Sequence, residues 1–184
     1  MTQQPLMARL RRFLRRKAQE EDGTATIPFV ILFPAFMVIV LSSIEMGILT
    51  VRQVMLERGL DLTVRNLRLG VWAAPTHTDI KRAICNNAGL IPDCMNSLLV
   101  ELQPVNKTTW QPLTPNATCV NKSLPVQPVT AFNPGASDEM MLIRACVKVK
   151  PMAPLTGLGM QLHKDPSGEY ALVSTSAFVN EPRL

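Results

Sequence analysis

Residues 23–44 read GTATIPFVILFPAFMVIVLSSI, a stretch without one ionisable side chain. At about 1.5 Å of rise per residue a helix of this length covers roughly 33 Å, enough to cross the ~30 Å hydrocarbon core of a bilayer. Its flanks are unequal. Arg9, Arg11, Arg12, Arg15, Arg16 and Lys17 form a basic block before it, followed by Glu20, Glu21 and Asp22, and Glu45 is the first charge after it. A basic block beside an apolar span holds that side in the cytoplasm. Residues 1–23 therefore read as a cytoplasmic leader, 24–45 as a transmembrane helix, and 46–184 as a domain on the far side. On this reading Glu45 falls at the far headgroups, with no need for burial in hydrocarbon. A cleavable secretory signal has a shorter apolar core and a small-residue cleavage site; this run is longer and continues without turn residues, so a retained anchor is expected. The chain's net charge is +5, and its densest basic block lies in the leader with no interleaved aromatic stacking platform, which points to membrane orientation and to no nucleic-acid partner.

Beyond the span a helical period continues through 46–72. Leu49, Leu56, Leu60, Val64, Leu67 and Val71 share one side, and Val51, Met55, Leu62 and Leu69 flank them across Gly59. Glu57, Arg58, Asp61, Arg65 and Arg68 make the polar arc, with Asp61 and Arg65 at a supportive i,i+4 spacing. So broad an apolar arc predicts that the rest of the domain covers this half of the helix. Pro28 is tolerated if the helix starts within a turn before it, and Pro34 is expected to kink the span. Ala73-Ala74-Pro75 is expected to end the helix. Thr76 and Asp79 have capping-box spacing for a short second helix over about 77–88, with Gly89 as its stop.

Alternation then replaces the helical period. Strands are expected at about 97–103, 141–150 and 169–180. In the second, Met141, Ile143, Ala145, Val147 and Val149 face one way; in the third, Ala171, Val173, Thr175, Ala177 and Val179 share a side. Asp165-Pro166-Ser167-Gly168 is a turn signal. The expected fold is α+β: a long N-terminal transmembrane and amphipathic helix packed on a small antiparallel sheet, with a short second helix and long loops. The longest loop, 104–134, is proline-punctuated and aperiodic, and needs tying down.

Cys85, Cys94, Cys119 and Cys146 all follow the span. An even number on one side of a membrane fits an oxidising compartment. With no CxxC pair, and with His77 and His163 off zinc-ligand spacing, two disulfides are preferred to a metal site. Three pairings exist; the expected one is Cys85–Cys94 with Cys119–Cys146, the second stapling the long loop to a strand. No GxSxG, P-loop, HExxH or dinucleotide fingerprint is present. Gly157-Leu158-Gly159 reads as a plain loop, and both histidines as solvated. No enzyme, cofactor or metal is expected.

Glu20-Glu21-Asp22-Gly23-Thr24-Ala25-Thr26-Ile27-Pro28-Phe29-Val30 with Leu32-Phe33-Pro34, and later Ser43-Ile44-Glu45-Met46-Gly47, resembles the TadE-like proteins, minor pilins (pseudopilins) of the tight-adherence or Flp pilus system. The resemblance covers roughly the first seventy residues. It implies a bacterial inner-membrane protein with a periplasmic, pilin-like domain, cut by a prepilin peptidase between Gly23 and Thr24. Its partners would be the bilayer, other Tad pilins and the inner-membrane assembly platform. The family pattern has glutamate fifth after the cut, where it offsets a neighbouring subunit's amine; this chain has Pro28. The resemblance thus implies a structural subunit of a Tad-type pilus or related envelope assembly, with Pro28 and Glu45 bearing on assembly; Pro28 leaves two readings open, a tip or initiating subunit, or drift in a chain that stays an uncleaved membrane anchor. The alternative is a membrane-anchored periplasmic binding or sensory domain that uses the 104–134 loop, with Trp110 and Phe132 as anchors or loop pins.

Overall fold

The computed structural model describes residues 26–109, 116–122, 124 and 126–182. Helix α1, Thr26–Arg68, has 43 residues and a length of about 64 Å. It passes Glu45 unbroken. Pro28 lies in its first turn, where a missing N–H costs nothing, and Pro34 lies within it. The lower half is bare: Ile27, Phe29, Val30, Ile31, Leu32 and Phe36 are all exposed, and the Phe29 and Phe33 rings stack at 5.0 Å. This stretch is long and apolar enough to cross a membrane.

In the upper half Leu56, Leu60, Val64 and Leu67 are buried at spacings of one helical turn. The covered stripe is narrower than the apolar arc in the sequence, since Val51, Leu62, Leu69 and Val71 stay exposed. One stripe suffices because α1 meets the head along one side only. The helix also ends four residues earlier than 72. Gly70 takes a left-handed conformation (φ 62°), its N–H donates to the Leu67 carbonyl, and the Val71 N–H donates to the Asn66 carbonyl. This glycine-centred cap stops α1 before Ala73-Ala74-Pro75 is reached.

Helix α2, His77–Asn87, opens with a complete Thr76/Asp79 capping box. It crosses α1 at Gly59, where an added Cβ would lie 2.7 Å from the Ile84 carbonyl oxygen. A disulfide joins Cys85 to Cys94, and Cys94 begins the single turn α3, Cys94–Ser97. Strands β1 (Leu98–Pro104), β2 (Met140–Val149) and β3 (Tyr170–Val179) form one antiparallel sheet in that order. Between β2 and β3 lies the short helix α4, Gly157–Gln161.

The core forms where α1 and α2 lie on one face of this sheet. Leu98, Val100 and Leu102 of β1 and Met141, Ile143, Ala145, Val147 and Val149 of β2 meet Leu56, Leu60, Ile80 and Ile84 there. In β3 the buried side is Tyr170, Leu172, Ser174 and Phe178, and the row of Ala171, Val173, Thr175, Ala177 and Val179 faces out. The larger aromatic side chains decide that strand's orientation, and the β-branched row on the other side does not.

The sheet's second face is partly roofed by the long loop. Cys119 is joined to Cys146 on β2, and Glu101 and Arg144, direct cross-strand partners, form a pair at 3.7 Å. Residues 131–133 then run beside β1: the Leu102 N–H donates to the Ala131 carbonyl, and the Asn133 N–H to that of Leu102. The outer edge of β1 is therefore occupied by the chain's own loop.

Candidate functional site

The most constrained polar constellation lies where α1 passes from its bare half into the head. Glu45 is 1% exposed. Its Oε2 accepts the backbone N–H groups of Met152 (2.9 Å) and Ala153 (3.0 Å), and its Oε1 accepts a second contact from Met152 at 3.2 Å. Charge spacing gave no sign of these partners. Glu45 is enclosed by protein. Pro151 and Pro154 bracket the two donating amides, and their fixed φ angles restrict this short stretch so that both amides converge on one carboxylate.

One turn lower, Ser42 Oγ donates to the Val38 carbonyl (2.7 Å) and accepts the Leu158 N–H (3.2 Å). Gly157 has φ +50° and abuts Ser42 and the Val38 carbonyl so closely that a Cβ would overlap the serine hydroxyl. Gly159 similarly abuts the Ala153 carbonyl. The Gly157-Leu158-Gly159 stretch is accordingly a single helical turn docked on α1, not a plain loop; each glycine is there because backbone approaches backbone or side chain at that point. Lys164 Nζ reaches back to the Pro154 (3.0 Å) and Gly159 (2.7 Å) carbonyls. Residues 151–164 form a collar against one side of α1.

Two further sets of contacts hold the head in register. Arg52 Nη1 donates to the Lys150 carbonyl (3.1 Å) and to Tyr170 Oη (3.2 Å), and Gln53 Nε2 donates to the Val173 carbonyl (3.1 Å). Behind the collar, Asp165 pairs with Lys148 and accepts from the Ser167 hydroxyl and the amides of Ser167 and Glu169. Burial pushes the Asp165 carboxyl up, but the Lys148 ammonium and these hydrogen bonds outweigh it and hold the group well below the usual carboxylate range.

A separate groove of 460 Å³ lies between the start of α2 and the long loop, lined by His77, Lys81, Leu99, Pro128, Thr130 and Phe132 among others. His77 is half-buried, not solvated, and meets the Phe132 ring edge-on at 5.5 Å between centroids. Burial, with the Lys81 charge, holds its pKa below 6.5. Its Nε2 makes no hydrogen bond among the described residues. Phe132 packs against the core and pins the loop, whereas Trp110 lies outside the described residues.

Gly23, Thr24 and the basic block also lie outside the described residues. Pro28 is exposed in the first turn of α1, about 26 Å along the helix from Glu45, so the two are not brought together. His163 is exposed. Among the described residues no group of three or more His, Cys, Asp or Glu side chains converges as a metal site would require. The collar is what the sequence reading missed. The available signals were a lone acid at the end of the apolar run and two glycines flanking one leucine in a proline-rich stretch. No protein-family model, curated protein or solved structure matches the chain.

Proposed function

We propose that this chain is a structural subunit anchored in the bacterial inner membrane, a minor pilin or pseudopilin of the tight-adherence type. On this reading the leader is cytoplasmic, the bare half of α1 is stored in lipid, and the head is periplasmic. The observation that supports it is the continuity of α1. A single helix leaves the apolar stretch and becomes the spine of a disulfide-stapled head without a hinge at Glu45. A rigid joint of this kind lets a head be positioned by whatever grips the helix, which a tethered domain on a flexible linker does not need. Pro28, in place of a carboxylate, favours a tip or initiating position over repeated docking along a filament. The partners are the bilayer, other pilins, the assembly platform and a prepilin peptidase. Mass spectrometry of the N-terminus with and without the peptidase tests processing: a chain beginning at Thr24 only when the peptidase is present is expected, and an intact Met1 form in both cases removes the processed-pilin reading. Normal piliation and adhesion after deletion of the gene would count against any pilus role.

The groove beside His77 favours a second reading, a membrane-anchored binding or sensory domain. Full-length protein in detergent, screened for ligand-dependent thermal shifts that vanish in His77→Ala, separates the two.

A further inference from the structure

The collar does not merely touch α1 near the span; it reaches below the level at which the span ends. Counted from Thr26, where α1 begins, roughly 30 Å of helix, the thickness of bilayer hydrocarbon, ends within one turn of Ser43. Gly157 nevertheless packs against Ser42 and the Val38 carbonyl, and Val38 lies about 7 Å deeper along the axis than Ser43. With α1 read as the membrane span, on which this inference rests, the lower edge of the collar lies within the outer leaflet. We infer that residues 151–164 are a membrane-seated collar whose Leu155 and Met160 side chains insert among the lipids beside α1.

Three independent features of the segment suit that place. First, these large apolar side chains point away from protein: Leu155 is 85% exposed and Met160 59%. Second, much of its irregular backbone is paired from within, which suits chain at membrane depth. The amides of Met152 and Ala153 go to Glu45, that of Leu158 to Ser42, that of Thr156 to the Ala153 carbonyl and that of Leu162 to the Leu158 carbonyl. Pro151 and Pro154 have no N–H to satisfy, and Lys164 covers the Pro154 and Gly159 carbonyls. The Thr156 Oγ1 is buried without a hydrogen bond among the described residues. Third, the segment is entered from Lys150, an exposed cation that can meet anionic headgroups while the chain after it dips. The collar also explains why a carboxylate is tolerated at position 45: collar amides, not lipid, surround it.

The test uses full-length protein in phosphatidylethanolamine/phosphatidylglycerol vesicles. The four native cysteines are all in disulfides, so an environment-sensitive fluorophore can be placed on a single new cysteine in Leu155→Cys, Phe36→Cys or Val129→Cys. Phe36 lies in the bare half of α1, and Val129 on the head is 95% exposed. The expected result is blue-shifted emission at positions 155 and 36, quenching at 155 by lipids spin-labelled high on the acyl chain, and water-like emission at 129. A label at 155 as accessible to iodide as the one at 129, beside a lipid-exposed label at 36, overturns the collar and leaves the span standing. A water-like label at 36 overturns the span and the collar together. A blue shift at 155 that lipid quenchers do not touch and that fades as protein is diluted in lipid assigns the surface to a second copy, and also overturns the proposal.

Discussion

Removing the Glu45 carboxylate should release the collar without unfolding the head. In Glu45→Ala the N–H groups of Met152 and Ala153 lose their acceptor. Each buried donor left without a partner costs about 1–3 kcal/mol, and relief of the carboxylate's own desolvation returns part of that, so a net loss of about 2–4 kcal/mol is expected. Glu45→Gln is the discriminating companion. Oε2 alone accepts both amides within 3.0 Å, so a glutamine oxygen in its place keeps both; only the longer Met152 contact and the charge assistance go, at a cost of about 1 kcal/mol. The readout is amide hydrogen exchange in detergent micelles over residues 155–162, which hold the Leu158 and Leu162 amides and none bonded to Glu45. Opening governed by Glu45 should speed exchange there by roughly 30- to 1000-fold in the alanine variant and about tenfold or less in the glutamine variant. The sheet amides of β2 should be unaffected. If the alanine variant exchanges like the parent at Leu158 and Leu162, the carboxylate does not hold the collar. If alanine and glutamine behave alike, the charge matters and the acceptor geometry does not.

Gly59→Ala places a methyl 2.7 Å from the Ile84 carbonyl oxygen; overpacking of about 1–3 kcal/mol outweighs a helix-propensity gain near 1 kcal/mol, so the melting temperature should fall. The Cys119–Cys146 bridge spans 27 residues and Cys85–Cys94 spans 9, so replacing the first pair by serine should cost about 3–4 kcal/mol and the second somewhat under 3, with urea midpoints in that order. Asp165 and His77 both have depressed pKa values in the folded chain, so each contributes stability above its unfolded value that is lost as pH falls through its folded one. His77 should make the protein progressively easier to unfold as pH drops below 6.5, and Asp165 should add a second decline below 3.8. Urea titrations of His77→Gln and Asp165→Asn across these windows should each flatten the corresponding decline.

The long helix and the sheet were legible because each rests on one strong period. Leu56, Leu60, Val64 and Leu67 repeat by turns, and the core residues of β1 and β2 recur at every second position, with Leu99 and Cys146 buried in addition on the other face. Less legible was anything set by backbone meeting backbone. Gly70 ends α1 through two carbonyl contacts that no side-chain pattern announces, and Gly157 matters only because Ser42, over a hundred residues earlier, lies against it. The orientation of β3 stayed open for another reason: both of its faces carry apolar residues, and Tyr170, Leu172 and Phe178 decide by size. Glu45 was conspicuous as a lone acid, but its partners are main-chain amides and therefore carry no residue signature. The same holds for the collar as a whole.

The two ends of the span bear on how such a chain could meet a neighbour. At the lower end the position at which the resembled family has glutamate is Pro28, whose ring cannot neutralise an ammonium group. At the upper end Glu45 is the only carboxylate of α1 before Glu57, and its oxygens are already occupied by Met152 and Ala153. An ion pair between this helix and another subunit's span would have to open the collar, against the same 2–4 kcal/mol estimated for losing the carboxylate. The bare apolar side chains of 27–36 carry no such cost, since facing helices replace lipid with contacts of like kind. On the proposed reading, lateral association would be steered to the lower half and to packing without charge, which suits a subunit added once and not one stacked repeatedly through a buried ion pair.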